Sequence, residues 1–297
     1  ECFCIEGISL LSKSDMMKKI IYDLGANNGD DIPYYLLKSD LVVAVEANPT
    51  LCQIINKRFQ VEIEQGELVV ENCVLTVEED VSEVSFYIHK EDHVRSQFPK
   101  PPPEELINYE AVLLPSKSAI RIIEKYGEPY YIKIDIEHYD SEILQALYES
   151  NFFPPFISAE THDIKVFSLL VVMGYGAFKL VEGRAVSHVY SGCSIQHGQE
   201  KISYSFPYHS AGPFGNDIKG KWMNAENFLR LLAYEGLGWR DIHAARFEKA
   251  DSSAMPSLIK YGKHLIKYKL MSYIPEALKV LIKDLARRFR VVFRATS

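Results

Sequence analysis

One short stretch constrains the fold more than any other. The apolar run Ile20 to Leu24 breaks directly into the turn Gly25-Ala26-Asn27-Asn28-Gly29-Asp30-Asp31. An apolar run without alternation suits a strand covered on both faces in a parallel sheet. A helix is expected next, with Asp31 as its cap and Pro33 in its first turn, where a missing N–H costs nothing. A second run, Leu41 to Val45, ends at Glu46. Asn48 and Pro49 then open another helix, with Leu51, Ile54, Ile55 and Phe59 on its buried face. The result is a strand–helix–strand unit with glycines after the first strand and a carboxylate at the end of the second.

That carboxylate lies 21 residues after Gly25, close to the separation expected of an acid that accepts from ribose hydroxyls in a nucleotide fold. Gly25 and Gly29 let the backbone approach a ligand closely. The loop is GxxxG rather than the dinucleotide GxGxxG. Asp23, Asp30 and Asp31 crowd it, which repels a pyrophosphate and suits a cationic sulfonium. S-adenosylmethionine is therefore the expected cofactor, ahead of NAD. Asp23, Gly25, Asn27, Gly29, Asp30, Glu46 and Asn72 are the expected cofactor-binding residues. Glu71 or Asn72, at the next strand end, is expected near the adenine.

A second informative element is Tyr130 to Glu137, a strand that ends in Asp135 and Glu137. Two residues apart, they point the same way while the chain stays extended. Residues 156–162 repeat the pattern, with Glu160 and His162 two apart at a strand end. Strand ends of an open parallel sheet line one crevice, so these groups are expected to converge. Each has a plainer use: Asp23 and Asp135 as caps, Glu160 as partner of Lys133, His162 as a loop histidine. Imidazole is the usual proton acceptor near pH 7, so His162 is the favoured base, with Asp135 and Glu137 as the other catalytic candidates. Hard cations take carboxylate oxygens, so a metal held by Asp135, Glu137, Glu160 and His162 is a further reading; it ranks lower because the sequence has no dedicated metal spacing, and no metal is expected. Residues 62–100 read as strands and loops, with an alternating edge strand at Val84 to Ile88. The prolines at 99–103 mark a loop placed to cover a site.

Composition bounds the rest. Apolar residues are 47% and charged residues 25% of 297, which excludes a disordered or fibrous chain. The net charge of −7 argues against a nucleic-acid-coating surface. Cys2, Cys4, Cys52, Cys73 and Cys193 form no disulfide framework, so a reducing compartment and a cytoplasmic location are expected. Residues 1–16 read as a non-native or disordered extension before Met16 and Met17. Residues 17–250 read as the catalytic domain and 251–297 as a basic amphipathic helical tail. From Lys260 to Ser297 the net charge is +8. An anionic membrane surface is a candidate partner for that tail.

DLGANNGDD, VVAVEANP and YYIKIDIEHYDSEIL, in that order and spacing, resemble the FkbM-type family of class I S-adenosylmethionine-dependent methyltransferases. The resemblance covers about residues 18–185, and the stretch 209–222 also resembles some members. It implies an α/β, Rossmann-like fold: a seven-stranded, mostly parallel sheet, one strand antiparallel, with helices on both faces. It implies O-methyl transfer to a hydroxyl, with a sugar, glycan or related small molecule as acceptor. The family's cofactor residues map onto the Gly25–Asp31 loop and Glu46, and its motif after the fourth strand onto Asp135 and Glu137. Members usually carry Gly after that Glu; here it is His138. Base N-methylation is disfavoured by IDIEHY at the position where such enzymes carry an Asn/Asp-Pro-Pro-aromatic element. RNA ribose methylation, a non-catalytic S-adenosylmethionine-binding module and an NAD-dependent oxidoreductase are the rival readings.

Overall fold

The structure is a computed structural model that describes residues 18–78 and 81–254. Its strands are β1 (Ile20–Leu24), β2 (Leu41–Glu46), β3 (Leu68–Asn72), β4 (Val74–Thr76), β5 (Glu83–His89), β6 (Tyr109–Ser118), β7 (Pro129–Ile134), β8 (Phe156–Thr161), β9 (Ala177–Glu182), β10 (Cys193–His197), β11 (Glu200–Tyr204) and β12 (Gly238–Ala245). Its helices are α1 (Ile32–Leu36), α2 (Pro49–Arg58), α3 (Gln60–Glu64), α4 (Ala119–Tyr126), α5 (Asp140–Glu149), α6 (Ile164–Val172), α7 (Val186–Val189) and α8 (Ala225–Glu235). The expected N-terminal extension, and the expected basic tail beyond residue 254, lie outside the described residues.

Seven strands form one sheet in the order β3-β2-β1-β7-β8-β12-β9. The first five run parallel, and β12 is antiparallel to both β8 and β9. Every residue of β1 and β2 is buried, as their mostly apolar runs require, and the two carboxylates among them, Asp23 and Glu46, are buried as well. Alternate residues serve opposite faces. Tyr22, Val43 and Ile132 join the core under α4, α5, α6 and α8. Ile21, Val42 and Tyr131 join the core under α1, α2 and the chain from Tyr190 to Ile218. On that second face Phe214 stacks flat on Tyr131, with ring centroids 4.1 Å apart. Such a pair adds about 0.5–1.5 kcal/mol beyond its area. The stretch 209–222 is thus a cover for one face of the sheet.

Two expected caps part company. The Asn48 side chain accepts from the Thr50 N–H, and Pro49 opens α2. Asp31 makes no cap bond for α1. Its buried carboxylate instead accepts from the Ser210 hydroxyl and from the Ala211 N–H at 3.1 Å. A buried carboxylate takes whatever donors its surroundings supply, and here the covering segment supplies them. Between 62 and 100 lie strands and loops as expected, after the end of the short helix α3. β5 is an edge strand, but of a separate three-stranded sheet, β4-β6-β5, which overhangs the ends of the main strands.

Candidate active site

At the carboxyl end of β1 the chain turns on Gly25, whose φ is +93°. The N–H groups of Gly25 and Ala26 both donate to the Val45 carbonyl at 3.0 Å. A Cβ on Gly25 would collide with the Asp135 carbonyl. Close packing of the loop on β7, as well as room for a ligand, therefore demands glycine. Gly29 differs: a Cβ there would press on Ile32, Ile55 and Phe59, so it serves helix packing. Asp30 accepts from Arg58 at 3.0 Å at the protein surface.

Glu46 closes the loop. Its Oε2 accepts from the Asn27 N–H and its Oε1 from the Asn48 N–H, both at 2.8 Å. Burial pushes its carboxyl up to about 7, against the pull of those two N–H donors. Asn72 spends its amide on the backbone carbonyls of Glu46 and Ala47, each at 2.9 Å. Glu71 pairs with Lys117, Lys125 and Tyr126. Burial alone would raise it, but those donors hold it at about 2. Asp23 is buried and pairs with Lys133 at 3.1 Å, and Lys133 also lies 3.3 Å from Asp135. Lys133 is therefore partner to Asp23 and Asp135, and Glu160 pairs elsewhere.

A cavity of about 570 Å³ runs from this loop across the strand ends, the size of a small-ligand site. Gly25, Asn27 and Glu46 line one end; Asp135, Glu137 and Glu160 line the next section. Of the expected cofactor residues, Asp23, Gly29, Asp30 and Asn72 do not form its wall; Cys73 does. The roof and far wall were not found from sequence: Phe86, the stretch Asp92–Ser96 and Phe98 from the overhanging sheet, and Arg184, Tyr208, His209 and Trp239 from the chain after β9. Phe86 lies in the alternating strand read at Val84 to Ile88, but alternation does not show what a strand covers; the other residues lie in segments without periodicity and give no signal until the fold is known. Phe98 does precede the proline loop expected to cover a site.

Asp135 and Glu137 reach the same cavity, but not by strand alternation. β7 ends at Ile134, and Glu137 and His138 take φ of +43° and +67°. His138 thus holds a left-handed position without being glycine, a conformation that stores about 1–3 kcal/mol of strain. The His138 ring packs against His162 at 4.6 Å. His162 stands behind the wall, its Nε2 2.9 Å from Glu160 and 3.6 Å from Glu137. Burial first, then the charge of Asp135, pushes the carboxyls of Glu137 and Glu160 up to about 8. Asp140 and Asp241, fully buried nearby, are raised for the same reasons. The donor set is rich in carboxylates and poor in cations, which fits a positively charged cofactor better than a pyrophosphate.

A family model described as the methyltransferase FkbM domain matches residues 23–172. This chain belongs to that family. S-adenosylmethionine is accordingly the methyl donor of this FkbM-type domain. Among curated proteins nothing matches. Among solved structures the chain is similar to precorrin-6y C5,15-methyltransferase from Geobacter metallireducens GS-15, at 12% identity and a TM-score of 0.33 over 55% of this chain and 66% of that one. It is similar to the C-terminal domain of precorrin-6Y C5,15-methyltransferase from Rhodobacter capsulatus, at 9% identity and 0.35 over 77% and 79%. StiE O-MT residues 942–1257 match at 7% identity and 0.30 over 55% and 47%. The chain spans just under two thirds of the first of these structures. No helix among the described residues is long and apolar enough to cross a membrane.

Proposed function

We propose that this FkbM-type domain transfers a methyl group from S-adenosylmethionine to a hydroxyl of a small acceptor, a sugar or related polyol. One observation carries the reading: a single cavity joins the Gly25–Glu46 loop to the three carboxylates Asp135, Glu137 and Glu160. The bound cofactor supplies an electrophilic methyl on a sulfonium. Glu46 accepts from its ribose hydroxyls, and the Gly25–Asn27 backbone lies against its methionyl part. Asp135, Glu137 and Glu160 hold the acceptor hydroxyl in line and draw its proton, with His162 close behind the two glutamates. Carboxyls raised to about 8 are matched to proton transfer near neutral pH. The same carboxylates repel a phosphate backbone, which disfavours a nucleic-acid acceptor.

Calorimetry separates the cofactor reading from its rivals: S-adenosylmethionine binds and NAD does not. Transfer of labelled methyl to a panel of sugars and glycan extracts then tests the acceptor. Labelling of amines with none of hydroxyls would defeat the O-methyl reading.

A further inference from the structure

The carboxylate–imidazole group beside the cavity has a geometry that proton transfer alone does not explain. His162 Nε2 is 2.9 Å from Glu160 Oε2 and 3.6 Å from Glu137 Oε2. Yet this buried nitrogen makes no hydrogen bond among the described residues: it is close to both oxygens and aligned with neither. An imidazole held by a carboxylate for proton transfer points along the line to it. Here three donor atoms, one from each residue, lie within 4.8 Å of one another. An octahedral cation with bonds of about 2.1–2.3 Å sets neighbouring ligands about 3.0–3.3 Å apart and opposite ones about 4.2–4.6 Å apart. The observed spread spans that range.

A second observation comes from the first turn of α5. Asp140 is 2% exposed, and neither of its carboxylate oxygens has a hydrogen-bond partner among the described residues. It lies within electrostatic reach of Asp135, His162 and Glu160. A buried, unpaired carboxylate is costly unless a positive charge stands near it. Lys133, the buried cation on this side, is already committed to Asp23 and Asp135. A dication between Glu137, Glu160 and His162 would offset Asp140 as well as its own two carboxylate ligands.

We propose that Glu137, Glu160 and His162 bind one divalent cation, of the kind that takes mixed carboxylate and imidazole ligands, with Mn²⁺ as the representative probe. Three protein ligands leave open positions, and Glu137 and Glu160 turn them toward the cavity. The binding itself is independent of the acceptor; its role rests on the O-methyl transfer proposed above. A hydroxyl oxygen on the cation becomes more acidic. Its proton passes to Asp135, the remaining carboxylate of that wall. The oxygen–carbon bond forms as the carbon–sulfur bond breaks, the electron pair stays on sulfur, and nothing is oxidised or reduced. From sequence, a metal on Asp135, Glu137, Glu160 and His162 ranks below the catalytic reading, because ligands two residues apart on one strand end and one from another make no recognisable spacing.

The experiment is a calorimetric titration of the metal-stripped full chain with Mn²⁺ alone, without cofactor or acceptor, checked by the loss of the free Mn²⁺ resonance signal. One site is expected, with thermal stability rising on addition. Glu160→Gln and His162→Ala should each weaken it at least tenfold, and Glu124→Gln, on the exposed face of α4, should not change it. If either variant fails to fold, Glu137→Gln, at a half-buried position, takes its place. No binding by the wild type, or equal binding by wild type and site variants, overturns the proposal. Methyl transfer at full rate in EDTA overturns the catalytic role and leaves the methyltransferase reading standing. Failure to bind S-adenosylmethionine strikes that reading instead and leaves the Mn²⁺ titration unaffected.

Discussion

The two ends of the cavity solve opposite problems. At the cofactor end the protein satisfies itself: each oxygen of Glu46 already holds a backbone N–H, and the turn at Gly25 is pinned to Val45 and to β7. At the acceptor end Glu137, Glu160 and His162 crowd together without hydrogen-bonding one another. Asp140 beside them has no side-chain hydrogen-bond partner among the described residues. The first end is a rigid cradle that exists before any ligand arrives, so little is lost in ordering it. The second carries excess negative charge in a poorly solvated place. That excess is lowered only by protons or by a cation, and this makes it the chemically responsive end.

The comparison predicts different kinds of damage. The largest effect is expected at the acceptor end. Glu160→Gln keeps the size of the side chain but can neither take a proton nor ligate as an anion. Turnover should fall about 10²–10⁴-fold with cofactor affinity nearly unchanged. A variant that keeps most of its turnover would show that the charge at Glu160 is not used.

At the cofactor end the damage should be structural before it is functional. Reading the glycine loop by its need for ligand space predicts that Gly25→Val blocks the cofactor and spares the fold. The structure revises this, because the Asp135 carbonyl occupies the position of the new side chain and φ is +93°. Overpacking costs about 1–3 kcal/mol and the left-handed backbone a similar amount. Thermal unfolding should therefore drop by many degrees, with cofactor binding lost alongside. Loss of binding at unchanged stability would restore the simpler account.

Strand β1, the turn and Glu46 sit in one continuous stretch, and their residue types report directly on local conformation. That Asp135, Glu137, Glu160 and His162 come together was legible as well, because strand ends of a parallel sheet must meet. What could not be read was how each group is spent. Asp23 is taken by Lys133, Asp31 by Ser210 and Ala211, and Asn72 by two carbonyls. These partners lie up to 180 residues away and follow from packing rather than from pattern. The alternation of β5 marks a strand but not that it roofs a site, and the wall at Tyr208, His209 and Trp239 comes from segments whose residues carry no periodic signal.

A smaller loss is expected when the cradle is kept and only its ligand contact is removed. Glu46→Ala should weaken S-adenosylmethionine about ten- to a hundredfold, the worth of about 1.5–3 kcal/mol for charge-assisted hydrogen bonds. Part of this reflects the freed N–H groups of Asn27 and Asn48, so Glu46→Gln, which keeps one acceptor, should lose less. Unchanged affinity in calorimetry would remove Glu46 from the ribose.

The smallest effect sharpens the same assignment. Burial raises the Glu46 carboxyl from 4.5 to about 7, so the free folded protein holds a proton that the unfolded chain has released. Its contribution to stability is therefore complete below about 4.5 and is lost as pH rises through about 7. Ribose hydroxyls donate to the ionised form, so cofactor binding should lower this carboxyl and release its proton. Affinity should then rise between pH 6 and 7.5, by about eightfold at most for one group, and level off above. Calorimetry in buffers of different ionisation enthalpy counts the released proton directly. Glu46→Gln has no proton to release and should flatten the profile. A slope that survives that substitution would belong to the acceptor-end carboxylates, and the two ends would then be electrostatically one site rather than two.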